Sequence, residues 1–138
     1  MENKYINRFK SLCNCVNNLT KSKKANPNDD FVLEGTVQIF NLTFDLSWKV
    51  MKDVLVKGMG VTDFAVGSPR ETLQTAFNNA IIDDDRWIEM LKTRNQLSHD
   101  YDGKYAKKVY DLIITDYYNL FVKLKDKLEK YYTEDLFL

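Results

Sequence analysis

The chain has 138 residues, and we predict one domain over residues 1–138 because this length is sufficient to bury a hydrophobic core. Hydrophobic residues make up 44% of the sequence and only five Gly and two Pro interrupt them, which favours a compact helical protein over a disordered one. Twenty basic residues balance twenty acidic ones, which argues against a protein that binds nucleic acid by bulk charge but leaves room for a local basic pocket.

The cysteines and the apolar segments indicate the compartment. Cys13 and Cys15 are two apart on a predicted helix and point to different sides, so we expect no disulfide between them. One cysteine pair with a single distant histidine does not make a zinc site, and we expect neither a metal nor a cofactor. No apolar run follows the first residues, and no stretch approaches the roughly 20 apolar residues of a membrane-spanning helix. These features predict a cytoplasmic protein without membrane contact.

The first predicted helix covers residues 3–23, where apolar side chains recur at alternating spacings of four and three: Tyr5, Phe9, Leu12, Val16 and Leu19. Residues 21–30 then carry charge, one Pro and two Asn without periodicity, so we predict a loop. Asp29 or Asp30 is placed to cap the helix that follows.

A second, long helix is predicted from Asp30 to Lys57, with glycines after it as its stop. Its apolar residues cover more than one stripe, which is typical of a helix that is buried on two sides. We therefore expect one face in the core and part of another in an oligomer interface. Phe44 and Trp48 lie one turn apart and are predicted in the core, with the border of a ligand groove as the alternative.

The third helix begins at a capping box. Ser68-Pro69-Arg70-Glu71 places a serine oxygen to accept from a free backbone N–H, a Pro at the first helical position, and a Glu that reaches back. The triplet Asp83-Asp84-Asp85 ends this helix and caps the next.

Gly67-Ser68 followed by that aspartate triplet resembles the Gly-Ser and paired-aspartate layout of nucleotidyltransferases, whose carboxylates hold Mg²⁺. Those enzymes place the aspartates on a strand with an apolar residue between them, whereas here Asp84 intervenes and the surroundings are helical. We therefore favour helix capping and do not expect the chain itself to be a nucleotidyltransferase.

The last predicted helix runs from Lys104 to Tyr132, antiparallel to the helix before it, and Asp102 is placed to cap it. Together these segments predict an all-α fold, an up-and-down antiparallel bundle of four to five helices. The two-sided second helix makes a homodimer the expected assembly.

Residues 87–101 hold the single histidine of the chain. At about 100° per helical residue, one stripe of this segment holds Trp87, Met90, Leu91, Arg94, Ser98 and Tyr101. Arg94 and His99 lie about 140° apart on an ideal helix and converge poorly. They meet if the helix frays near His99, or across a two-fold interface where two copies of the segment face each other.

Arginine and histidine suffice for metal-independent RNA cleavage. Histidine can take the proton of a ribose 2′-OH or give one to the leaving 5′-oxygen. Arginine presents a planar fork of donors to the charge that builds on the phosphorane. Asn95 is placed to orient His99 or the phosphate, and Ser98 shares the stripe of Arg94 as a second supporting residue. Such a reaction leaves a 2′,3′-cyclic phosphate.

The run from Arg94 to Tyr101 resembles the R-x4-H-x-Y signature of the HEPN superfamily, and specifically of its HepT-like, nucleotidyltransferase substrate-binding branch. Residues 44–52, 68–71 and 87–91 are similar to that branch as well. The resemblance implies a homodimer with a composite Arg/His groove that acts as an RNase toxin on RNA. It also implies a partner, a minimal nucleotidyltransferase that acts as antitoxin by transferring AMP to Tyr101.

Two alternatives stay open at this stage. In the first, the protein is a non-catalytic subunit of a two-component nucleotidyltransferase, and the dimer groove holds a nucleotide or presents Tyr101. In the second, it is a helical dimer that uses Arg94 and His99 for its interface alone. The sequence does not decide whether the chain is an enzyme.

Overall fold

The computed structural model describes residues 3–62 and 67–133, and within these ranges all regular secondary structure is helical, which confirms the predicted all-α class. The elements, in chain order, are α1 (Lys4–Lys24), α2 (Val32–Asp53) with a π-helical continuation (Val54–Gly58), α3 (Pro69–Asn78), α4 (Arg86–Leu97), α5 (Lys104–Leu112), a π-helical segment (Ile113–Tyr117) and α6 (Tyr118–Thr133). The last three form one helical run, as predicted. None of the described helices has the length and apolarity that a membrane crossing requires.

The start of α2 differs from the prediction. Phe31 occupies the N-cap position in the left-handed region (φ 68°) and makes no side-chain capping bond. Asp29 contributes its backbone carbonyl, which accepts from the N–H of Val32 at 3.3 Å, rather than its carboxylate. The prediction that Asp29 or Asp30 caps α2 was therefore wrong. Backbone hydrogen bonds within the loop lead into the helix instead.

Two other helix starts follow the sequence more closely. The hydroxyl of Ser68 accepts from the N–H of Glu71 at 3.3 Å with Pro69 at the first helical position, which confirms the serine half of the capping box. At α4 the cap comes from the aspartate triplet, as predicted, and Asp84 is the residue of the triplet that provides it. The carboxylate of Asp84 accepts from the N–H of Arg86 at 2.9 Å.

The aspartate triplet is engaged by cations. The side chain of Arg86 contacts Asp84 at 2.7 Å, and the hydrogen bonds from Arg86 lower the pKa of Asp84 to about 2. Lys123 on α6 contacts Asp83 at 2.9 Å. Asp84 therefore caps α4, and Asp83 forms an ion pair with α6. The prediction that the triplet also ends α3 was wrong, because α3 already ends at Asn78.

Helix α2 is the centre of the packing, since it contacts each of the other five α-helices. Its Phe40 and Phe44 meet aromatic rings from α4 and from the last helical run. The centroid distances are 5.6 Å for Phe40–Tyr117, 6.0 Å for Phe40–Phe121, 6.4 Å for Phe44–Trp87 and 5.7 Å for Trp87–Phe121. Such ring pairs add to the stabilisation from their buried area, so this cluster fixes α4 against α2.

The predicted core position is confirmed for Phe44, which is fully buried, but not for Trp48. Trp48 is half-buried at the edge of the core and lines a surface cleft. Cys13 and Cys15 are both free, which confirms that they form no disulfide. Partial burial raises the pKa of both thiols.

Candidate functional site

The segment around His99 is not one continuous helix. Helix α4 ends at Leu97, and the backbone then turns, with the N–H of His99 donating to the carbonyl of Gln96 at 3.1 Å. The hydroxyl of Ser98 closes the same end by donating to the carbonyl of Asn95 at 2.6 Å. Arg94 therefore lies in the last helical turn, whereas His99 lies beyond it.

The start of α5 explains why α4 stops there. The two carboxylate oxygens of Asp100 accept from the N–H groups of Tyr105 (3.1 Å) and Ala106 (2.8 Å), and Asp102 accepts from the N–H of Lys104 at 3.0 Å. The predicted cap Asp102 is confirmed, and Asp100 is a second one that the sequence reading missed. Because both carboxylate oxygens of Asp100 accept from N–H groups of α5, this residue belongs to the start of α5 rather than to α4.

Tyr101 therefore does not share a helical stripe with Arg94. The stripe requires a helix from Arg94 to Tyr101, and α4 ends four residues before the tyrosine. Tyr101 instead stands in the turn with 91% of its surface exposed. Its hydroxyl is open to solvent.

Arg94 is held by a carboxylate from another helix. One guanidinium nitrogen, Nη2, lies 2.9 Å from both carboxylate oxygens of Asp45 on α2, and Nη1 lies 3.5 Å from the side-chain oxygen of Asn95. About a third of each side chain in the ion pair is exposed. An ion pair with this much exposure stabilises the fold by no more than about 1 kcal/mol. Its main effect is to orient the guanidinium while leaving it open to an anion.

Asp45 is the site residue that sequence reasoning missed. It lies within residues 44–52, which resemble the family, and it is the one charged residue between Glu34 and Lys49. An isolated charge in an otherwise apolar helical stretch is the signal that marks it. Its partner, 49 residues away in sequence, follows only from how α2 packs against α4.

A buried hydrogen-bond network fixes the helical turn that carries Arg94. The hydroxyls of Thr93 and Tyr117 are 2.9 Å apart, and Tyr117 also donates to the carboxylate of Glu89 at 2.9 Å. Burial, and then the acceptor Glu89, raise the pKa of Tyr117 well above its usual value. Tyr117 lies in the π-helical segment, so the network joins α4 to the last helical run.

The imidazole of His99 is exposed, and within the described parts of the chain it makes no hydrogen bond or ion pair. Arg94 and His99 are thus five residues apart in sequence and are not bonded to each other. The described residues include no cluster of three or more His, Cys, Asp or Glu side chains able to hold a metal ion. The end of α4 and the turn after it thus carry the guanidinium of Arg94, which Asp45 orients, the exposed imidazole of His99 and the exposed phenol of Tyr101.

A family model described as nucleotidyltransferase substrate binding protein like matches residues 4–130 of the chain. The chain belongs to this family. The resemblance read from Arg94 to Tyr101 is therefore confirmed at the level of the HepT-like, nucleotidyltransferase substrate-binding family.

A curated relative agrees with this assignment. The protein named "Probable ribonuclease HepT" from Haemophilus influenzae is 30% identical over 83 residues, which cover 59% of this chain and 57% of the relative. The chain therefore matches little more than half of the length of the Haemophilus influenzae protein.

The Tyr117 network gives a prediction about pH. An unfolded tyrosine ionises near pH ~10, whereas buried Tyr117 keeps its proton to higher pH, so above that value the unfolded state binds fewer protons and gains stability. The free energy of unfolding of the wild type should therefore fall above pH ~10.

Tyr117→Phe should be about 1 kcal/mol less stable at neutral pH, because it loses the hydroxyl, and should show a shallower decline above pH ~10. Urea denaturation across this pH range measures both effects. Tyr101→Phe, which removes an exposed phenol, is the control and should follow the wild type. Identical slopes in wild type and Tyr117→Phe would contradict the assigned network.

Proposed function

We propose that this protein is a metal-independent endoribonuclease of the HepT kind, with Arg94 and His99 as its catalytic residues. The observation that carries the proposal is the surface at the end of α4, where an oriented guanidinium and an unpartnered, exposed imidazole lie five residues apart. The name of the relative, a probable ribonuclease, supports the same reaction class.

In the proposed reaction His99 removes the proton of a ribose 2′-OH, because imidazole is the side chain suited to proton exchange near neutral pH. The 2′-oxygen attacks the adjacent phosphorus, and Arg94 stabilises the charge of the phosphorane. The P–O5′ bond then breaks and the leaving oxygen takes up a proton. The products are a 2′,3′-cyclic phosphate and a 5′-hydroxyl.

The proposed site is shared by two chains. Each chain has one histidine, so separate general acid and base are available if two copies of His99 face each other in a homodimer. Asn95 and Ser98 are both exposed at the same helix end, and they support this groove by orienting Arg94 and closing the helix. We propose that each chain forms one antiparallel up-and-down bundle over residues 1–138 and that the dimer acts in the cytoplasm.

We further propose that a minimal nucleotidyltransferase is the partner that silences the enzyme, an assignment supported by the description of the family. The phenol oxygen of Tyr101 attacks the α-phosphorus of ATP, pyrophosphate leaves, and AMP becomes attached to the tyrosine. The 91% exposure of Tyr101 supports its access to a second enzyme. The added phosphate competes with RNA for Arg94 and closes the site.

A second candidate function is favoured by the family description, which names substrate binding rather than cleavage. In that case the same groove holds a nucleotide or presents Tyr101 to the nucleotidyltransferase, and it catalyses nothing itself. The two functions predict opposite results with RNA.

The ribonuclease proposal is tested with purified protein and RNA in the presence of a chelator. We expect cleavage with cyclic phosphate ends, and a loss of at least about 100-fold in His99→Ala and in Arg94→Ala, because general acid–base catalysis and charge stabilisation each supply effects of that size. Gln96→Ala is the matched control, since Gln96 is exposed on the same turn and bonds His99 through its backbone alone. Cleavage that persists in His99→Ala, or that needs Mg²⁺, would contradict the mechanism, and an inactive wild type would favour the binding subunit.

The modification proposal is tested by mass spectrometry after incubation with the nucleotidyltransferase and ATP. We expect a mass gain of one or more AMP units in the wild type and none in Tyr101→Phe, because the attacking oxygen is removed. Tyr105→Phe is the matched control, since Tyr105 is the neighbouring tyrosine and is half-buried. Labelling that maps to Tyr105, or that is unchanged in Tyr101→Phe, would refute the acceptor assignment.

A further inference from the structure

A cleft of about 320 Å³ lies where the start of α1 meets the end of α2, outside the surface that carries His99 and Tyr101. Four lysines and two aromatic side chains line it: Lys4, Lys49, Lys52, Lys57, Tyr5 and Trp48. Its volume lies at the lower end of the range for small-molecule sites and suits one base with its flanking phosphates. The combination of cations and aromatic rings is the one that binds single-stranded nucleic acid.

The cleft carries a local excess of positive charge. Its floor is neutral, because Nη1 of Arg8 contacts both carboxylate oxygens of the buried Asp53 at 2.7 Å. In the part of the chain that the structure describes, none of the four lysines forms an ion pair. The chain as a whole has no net charge, so this concentration of lysines is a property of one face. A basic groove of this kind raises the local concentration of an anionic ligand.

The aromatic side chain that we take as the stacking surface is Trp48. Trp87 is 2% exposed in the core, whereas Trp48 is half-buried and lines the cleft. The ammonium group of Lys49 lies 5.9 Å from the centre of the Trp48 ring, and that of Lys57 lies 5.8 Å from the centre of the Tyr5 ring. A base on Trp48 would therefore have phosphate-binding groups next to it. Stacking on aromatic rings contributes about 1–3 kcal/mol per base and does not depend on sequence.

The cleft lies on the same face of α2 as the carboxylate that holds Arg94. Asp45, which holds Arg94, precedes Lys49 by four residues and Lys52 by seven, so the three share one face of the helix. At 1.5 Å per residue, the rise from Asp45 to Lys52 is about 10 Å. A strand bound at Arg94 reaches the cleft within a few nucleotides.

We propose that this cleft is a binding subsite for single-stranded RNA, in which the lysines contact phosphates, a base stacks on Trp48, and the strand runs along α2 towards Arg94. The proposal rests on the proposed function, since it takes RNA as the substrate. It adds the residues that supply affinity to those that supply chemistry.

Binding is measured with a labelled eight-nucleotide RNA that carries 2′-O-methyl groups, because without a 2′-OH it cannot be cleaved. We expect wild-type protein to bind it with quenching of Trp48 fluorescence, which is lost in Trp48→Phe while Trp87 still emits. Lys49→Ala/Lys52→Ala should bind about tenfold or more weakly, and the slope of log K against log salt should fall by about 1.4, as expected for two lost phosphate contacts on a single strand.

The matched control is Lys21→Ala/Lys24→Ala, which removes the same charge at the far end of α1, about 25–30 Å from Lys4. This variant should bind as the wild type does. Equal losses in both double variants would show unspecific attraction and overturn the subsite. Lys57→Ala, a single change at the cleft, should weaken RNA binding less than Lys49→Ala/Lys52→Ala does. If the double variant does not fold, Lys57→Ala replaces it in the binding measurement.

Cleavage of two substrate lengths separates this proposal from the ribonuclease proposal. A dinucleotide bound at Arg94 makes far fewer contacts with the cleft than a longer strand does, so Lys49→Ala/Lys52→Ala should lower kcat/KM much more for an eight-nucleotide RNA than for the dinucleotide. Dinucleotide cleavage without binding of the methylated RNA would overturn the subsite alone. Cleft-dependent binding without any cleavage would support the subsite and overturn the ribonuclease. If a lysine variant changes the mass of the assembly in light scattering but binds RNA as the wild type does, the cleft is a protein interface and the proposal is refuted.

Discussion

The ion pair between Arg94 and Asp45 is the contact on which the proposed chemistry depends. It joins the end of α4 to the middle of α2 and compensates the charge of the arginine in the absence of RNA. A phosphodiester carries one negative charge and competes weakly with the carboxylate, whereas a phosphorane carries more and competes better. Arg94 would thus stabilise the transition state more than the ground state, which is the condition for catalysis. Affinity for the substrate then has to come from elsewhere, and the lysines of the neighbouring cleft are placed to supply it.

The end of α4 at Leu97 is the second constraint. Had the helix continued, His99 would point away from Arg94 and Tyr101 would be fixed on a helical face. Instead α4 ends, Asp100 caps α5, and His99 and Tyr101 stand on an exposed turn. Behind the turn, Thr93 and Tyr117 hold the last part of α4 rigidly. An arginine oriented by Asp45, followed by an exposed histidine and an exposed tyrosine on the next turn, suits a site that is completed by a second chain.

The sequence predicted the helices and the family because both depend on local patterns. Apolar spacing located α1, α2 and the last helical run, and the run from Arg94 to Tyr101 carried the resemblance. The end of α4 was missed because the helical spacing of residues continues to Tyr101, whereas the carboxylate of Asp100 caps the next helix. Asp45 and the basic cleft were missed because they depend on packing: the ion pair joins α2 to α4, and the cleft lysines come from both α1 and α2.

Mixing wild-type protein with inactive His99→Ala protein determines whether one catalytic site uses His99 from two chains. With wild type held constant and the two proteins unfolded and refolded together, increasing His99→Ala converts wild-type homodimers into mixed dimers. If both histidines act in one site, activity per wild-type chain falls in proportion to the wild-type fraction of all chains. Activity that stays constant as His99→Ala is added would mean that each chain works alone, and it would contradict the shared site.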